Sequence, residues 1–140
     1  MAGYVSHLYT LNIAMSWGLF VLIWLVQIII YPGFRRIRSG DFVTYHRWYV
    51  RRISVIVLPL MICEVVMTLG WLTLTKFSLY SSVSAFLVVV IWLSTFRLQV
   101  PIHKRLQSGK DNACIDRLVA TNWIRTMAWS LKAAFVILAA

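Results

Sequence analysis

Long apolar runs separated by short basic stretches set the pattern of this chain. The first, Leu8 to Tyr31, contains no Lys, Arg, Asp or Glu. The second, Ile53 to Thr75 (ISVIVLPLMICEVVMTLGWLTLT), carries one charge, Glu64, near its midpoint. The third covers residues 78–100 and is uncharged up to Arg97, and the fourth covers residues 118–140. Runs of about 18 or more such residues read as membrane-spanning helices. The pattern predicts an all-α, four-helix transmembrane bundle of one domain. Its spans are residues 8–31, 53–75, 78–100 and 118–140. A basic, partly amphipathic elbow fills 32–52, and a cytoplasmic turn fills 101–117.

Polar residues inside these runs predict which faces meet. Asn12, Ser16 and Gln27 fall within about 60° of one another on a helix, a stripe that should face the bundle. Gly18 is expected to let a neighbour approach closely, and Pro32-Gly33 to stop the helix. In the elbow, FVTYHRWYVRR mixes aromatic and basic residues. Tyr45, Trp48 and Tyr49 suit a helix anchored at the headgroup level, either separate or running straight into the second span. Pro59 should kink that span. Ser81, Ser82, Ser84 and Ala85 suit close packing of the third. Trp92, Thr95 and Gln99 form a stripe aimed at His103. On the fourth, Asn122, Arg125, Trp129 and Lys132 recur at intervals of 3, 4 and 3, which is one narrow face.

Composition adds orientation. The chain is 61% hydrophobic and 13% charged, against roughly 45–50% and 25% in soluble domains. The formal net charge is +10. The basic residues gather at the ends of apolar runs, which is the pattern of membrane orientation and anionic-lipid contact rather than of nucleic-acid binding. The two connections on one side hold 11 Lys or Arg, and the connection on the other holds Lys76 alone. The positive-inside rule then places both basic connections in the cytoplasm and both termini outside, N-out and C-out, in a bacterial inner membrane. No positive n-region or small-residue cleavage site marks the first run as a signal peptide. Cys63 and Cys114 differ in depth by roughly 15 Å of helical rise, so they read as one buried and one surface thiol without a disulfide.

Three constellations could carry chemistry. A carboxylate at the centre of a span costs ~3 kcal/mol on insertion scales, so Glu64 must face inward and find a partner. It lies roughly 16 Å deep, and Lys132 roughly 20 Å deep. The expected pair, direct or through water or Thr68, is either a proton-handling or substrate-orienting site or a structural lock on helix order. Arg125 is shallower and should reach Gln27 or the cytoplasmic ends of the second and third helices. Glu64, Lys132 and Arg125 are the candidate catalytic groups. His46 and His103 are candidate haem or metal ligands, with Asp41 and Asp111 the only further donors in view. The alternative for both is an interfacial histidine bonded to a carbonyl or a lipid phosphate. Gln27, Tyr31, Gln99, Asn122 and Arg125 form the third group. It reads as a pocket for an oxygenated or anionic small molecule, with Trp123 and Trp129 stacking, or as interhelical hydrogen bonding. No P-loop, GxSxG, HExxH or dinucleotide fingerprint occurs.

The segments QVPIHKRLQSG and DRLVATNWIRTMAW resemble the last third of small bacterial four-helix membrane proteins of unknown function, which in turn resemble the anthrone-oxygenase-like family. With Tyr31-Pro32 the likeness covers about half of the chain. It departs at His103, where that family more usually has Asn. The resemblance implies a cofactor-poor oxygenase acting on an aromatic substrate. The residues themselves leave two classes open. One is an accessory or structural subunit that packs on a larger membrane complex or on itself. The other is a membrane oxidoreductase, oxygenase or haem- or metal-binding protein with a pocket inside the bundle.

Overall fold

A computed structural model of the chain describes residues 2–138, with side chains from Ser6 onward. The described residues form four helical rods and no strand. Helix α1 begins as Ala2–Leu25, passes through a π turn at Val26–Ile30, and ends as Tyr31–Gly33 and a 3-10 turn, Phe34–Arg36. Helix α2 is Ser39–Leu74. Helix α3 is Leu79–Leu106, with a π turn at Thr95–Gln99. Helix α4 is Asn112–Leu138. The fourth predicted span ends at residues 139–140, outside the described residues. Three rods, α1 to α3, are long and apolar enough to cross a membrane. Helix α4 is the more polar one, and its polar face is the one it buries.

The prolines act differently from expectation in α1. Proline removes an N–H and pushes its ring against the carbonyl four residues back. For Pro32 that carbonyl belongs to Ile28, inside the first π turn. For Pro101 it belongs to Arg97, inside the second. The wider turn moves the carbonyl aside. Tyr31 N–H reaches Val26 O and Val100 N–H reaches Thr95 O. Helix α1 therefore passes through Pro32-Gly33 and stops only at Ile37, which is extended. Helix α2 likewise runs through Pro59. Residues 39–52 are the first turns of the same 36-residue rod as the second span.

The rods pack in chain order around a ring. Helix α4 lies most extensively on α3 and α1, α1 also lies on α2, and the α2–α3 seam is the loosest. The expected close approach at Gly18 is not made, because that glycine faces open space. It occurs at Gly70, where a Cβ would sit 3.3 Å from a Leu8 methyl. Turns are pinned by short contacts. Asp111 Oδ1 accepts from Cys114 N at 3.1 Å and caps α4. That bond, with Arg105 nearby, holds the Asp111 carboxyl below its usual range. Lys110 Nζ donates to the Ile37 and Arg35 carbonyls at 2.6 and 2.8 Å, tying off the end of α1. Arg35 pairs with Asp116. Lys76 and Phe77 take left-handed backbone in the turn between α2 and α3.

Burial is inverted relative to a water-soluble bundle. Asn12, Ser16, Gln27, His46, Glu64 and Lys132 are among the buried polar side chains, while Trp17, Val21, Ile28, Val55, Phe86 and Leu138 are exposed. Apolar groups outside and hydrogen-bonded polar groups inside is the arrangement that a lipid solvent favours. The cysteines reverse their expected roles: Cys63 is exposed and Cys114 buried. Tyr45 and Trp48 are exposed, but Tyr49 turns into the core.

Candidate functional site

Three polar groups run down the inside of the bundle. The deepest is built on Glu64. Its carboxylate lies 3.2 Å from Lys132 Nζ, and both side chains are fully buried. The pair is direct, and Thr68 does not bridge it: its Oγ1 has no partner among the described residues. Lys132 also donates to Ser16 Oγ at 2.6 Å and to Asn12 Oδ1 at 3.2 Å. Its three ammonium protons thus meet three acceptors, two of them from the α1 stripe. Trp129 Nε1 donates to both Glu64 oxygens at 3.1 Å. That role is not visible in the sequence, where Trp129 reads as a stacking surface. Its spacing one turn before Lys132 is the available signal.

The second group joins α1 to α4. Gln27 Oε1 accepts from Asn122 Nδ2 at 2.8 Å and from Thr126 Oγ1 at 3.2 Å. Gln27 Nε2 donates to Val119 O at 3.1 Å. This is interhelical bonding, and neither Gln27 nor Asn122 lines the neighbouring cavity. Sequence reasoning groups them with Tyr31, Gln99 and Arg125 because all five lie at one depth. The helix faces separate them. Trp123 also leaves the group: it is exposed and packs edge-on against Trp24.

The third group surrounds a cavity of about 370 Å³ between α2 and α3, within the roughly 300–1,000 Å³ range of small-ligand sites. Tyr31, Tyr49, Trp92, Gln99, His103 and Arg125 contribute its polar wall. The two π turns aim this wall: one directly precedes Tyr31, and the other ends at Gln99 and sets the register of His103. π turns recur at functional sites because they re-aim side chains within a helix. Gln99 Nε2 donates to Thr121 Oγ1 at 3.0 Å, while Gln99 Oε1, Trp92 Nε1 and Arg125 Nε have no partner among the described residues. Arg125 lines the cavity with Tyr49 of α2 and with Gln99 and His103 of α3. Its guanidinium lies 5.2 Å from the centre of the Trp129 ring, a cation–π contact.

His46 and His103 do meet, but as a hydrogen-bonded pair. His46 Nε2 and His103 Nδ1 are 3.0 Å apart, and His103 Nε2 is 3.0 Å from the Tyr31 hydroxyl. His46 is fully buried, stacked on Phe42 and edge-on to Phe34, and its Nδ1 has no partner among the described residues. A haem shared by the two rings would need them apart on opposite faces of a macrocycle, and here they touch. Asp41 is exposed and Asp111 faces Arg105 at 3.1 Å, so neither donor joins them. Among the described residues no group of three His, Cys, Asp or Glu could hold a metal ion.

The Tyr31–His103–His46 chain can be written in two directions. In one, Tyr31 O–H donates to His103, His103 N–H donates to His46, and His46 Nδ1 keeps a proton. In the other, every bond reverses, His46 Nδ1 is bare, and the Tyr31 hydroxyl proton is free to donate into the cavity. Both directions carry the same number of protons, so they differ only in whether the Tyr31 hydroxyl donates to His103 or accepts from it.

Comparison of the chain with protein-family models, with curated proteins and with solved structures gives no match in any of the three.

Proposed function

We propose that this chain is a multi-pass membrane protein whose α2–α3 seam receives a lipid-soluble molecule with a polar head, and that the Tyr31 hydroxyl, held by His103 and through it by His46, hydrogen-bonds that head. All four rods span the bilayer. Helix α4 buries its polar face and turns Trp123, Ile124, Met127 and Leu131 outward, so it too can meet lipid. The basic helix ends face the cytoplasm, where the Arg-rich first turns of α2 extend beyond the hydrocarbon: 36 residues span about 54 Å, against a core of about 30 Å. Anionic headgroups meet that end.

The observation that carries the reading is the cavity wall itself. Arg125, which pairs with no carboxylate among the described residues, lines it together with Tyr31, Gln99 and His103, and a buried charge is costly unless something pairs with it. Filling the cavity from its apolar side tests it. Val57 of α2 lines the cavity. Protein purified in mild detergent should release a bound molecule on organic extraction, and Val57→Trp should lose it. Identical extracts from both would refute the reading.

A second reading, an accessory subunit or self-associating chain, is favoured by one surface. Trp17, Phe20, Trp24 and Trp123 form a continuous run of edge-on aromatic contacts on the outside of α1 and α4. Sizing in mild detergent with mass spectrometry of co-purifying chains tests that surface. A monomer without companions would remove the second reading.

A further inference from the structure

Resting on the proposed seam pocket, we infer that its occupant is an anionic amphiphile with one hydrocarbon chain, its carboxylate or phosphate head paired with Arg125 and its chain lying in the α2–α3 furrow. The argument begins with charge. Arg125 is 7% exposed, and no carboxylate among the described residues lies within ion-pair distance of it. The chain has four acidic residues in all. Glu64 is committed to Lys132, Asp111 faces Arg105 and Asp116 faces Arg35. Asp41 is exposed in the first turn of α2. Among the described residues the buried interior therefore holds two cations, Lys132 and Arg125, and one anion, Glu64. A buried charge without a counter-charge is among the most costly features a fold can carry. The ring of Trp129 offsets part of that cost, and an anion delivered into the cavity would offset the rest.

The donors fit such a head. Arg125 offers its planar fork, which matches a carboxylate or phosphate. Lys104 lies at the cavity's rim and adds a second positive charge. The furrow fits the tail. A second cavity of about 490 Å³ continues along the same seam, lined by Val65, Leu69, Ala85, Val88 and Val89. It shares Trp92 with the first, and its lining is apolar except for Thr68. From Val50 to Leu69 the two cavities follow about 28 Å of α2 by helical rise. One furrow between two helices holds one chain, and its open side faces the bilayer that would supply it.

Native mass spectrometry of the full chain in detergent, with oleate, oleyl phosphate and oleyl alcohol as probes, tests this. The three share a tail and differ in head. On the unaltered protein the anions should bind more tightly than the alcohol, and the better of the two names the head. Arg125→Met should weaken anion binding by roughly 30-fold or more, with Arg125→Lys recovering part of it and the alcohol unaffected. Equal binding of alcohol and anions by the unaltered protein would overturn the charge assignment and leave the pocket standing. That comparison holds even if the Arg125→Met variant fails to fold. If no probe binds, or if Val57→Trp binds all three as the unaltered protein does, the pocket reading fails and the assignment with it.

Discussion

Removing one member of the Glu64–Lys132 pair should cost far more than removing both. Glu64→Gln leaves the Lys132 ammonium with Ser16 and Asn12 but with no counter-charge. Lys132→Met leaves a buried carboxylate held by the Trp129 N–H alone. Neither group touches solvent, so neither orphan can be rescued by water. Each single change is expected to destabilise the bundle by about 3–5 kcal/mol, the usual result of stranding a buried charge. The double change strands no charge. Its amide and thioether are neutral, and the carbonyl of the introduced amide can still accept from Trp129, so its cost should fall below that of the worse single change. The coupling energy should then reach at least about 2–3 kcal/mol. Reversible unfolding in bicelles, followed by far-UV circular dichroism for all four members of the cycle, gives this number. Single effects that add to within about 0.5 kcal/mol would show that the two charges do not depend on one another, and the reasoning would be refuted.

Two further outcomes follow from local geometry. Gly70→Ala should be tolerated, because the Leu8 methyl 3.3 Å away is the flexible end of a side chain and alanine favours the helix. Gly70→Ile should push α1 from α2 and cost about 1–3 kcal/mol of overpacking, read in the same unfolding assay. Asp111→Ala should lower the unfolding temperature at neutral pH, and Asp111→Asn, which still caps, should lower it less. The Asp111 carboxyl is held below its usual range by the Cys114 N–H. Its contribution is therefore complete above the unfolded value of 3.8 and is lost as pH falls through the lower folded value. The melting curves of Asp111→Ala and the unaltered protein should converge in acid.

Lengths and depths are legible in the sequence, and directions only partly so. Counting residues places Glu64 and Lys132 at one level, and the need to neutralise each charge makes them partners. The 3-4-3 spacing on α4 finds its buried face, because periodicity alone determines which residues share a side. Depth does not distinguish Gln27 and Asn122, which bond to each other, from Tyr31, Gln99 and Arg125, which face the cavity. On α1 and α3 that separation goes with the π turns, and on α4 with the roughly 60° between Asn122 and Arg125; no local composition announces a π turn beyond the proline that follows it. The same blindness makes Pro32-Gly33 read as a stop. Cys63 reads as buried because midspan depth suggests it, yet midspan residues on an outer face meet lipid. The His46–His103 contact needs the third dimension, since 57 residues separate the two.

The claim on which most of this rests is that a chain-bearing molecule enters the bundle sideways, between α2 and α3. A fatty acid carrying a photoreactive diazirine at mid-chain, activated in proteoliposomes and mapped by mass spectrometry, tests it directly. Adducts should concentrate on Val65, Leu69, Ala85 and Val89 and disappear when excess oleate is added. Labelling spread evenly over outward residues such as Val55, Ile62 and Phe86, and indifferent to oleate, would mean that the seam is ordinary lipid-facing surface.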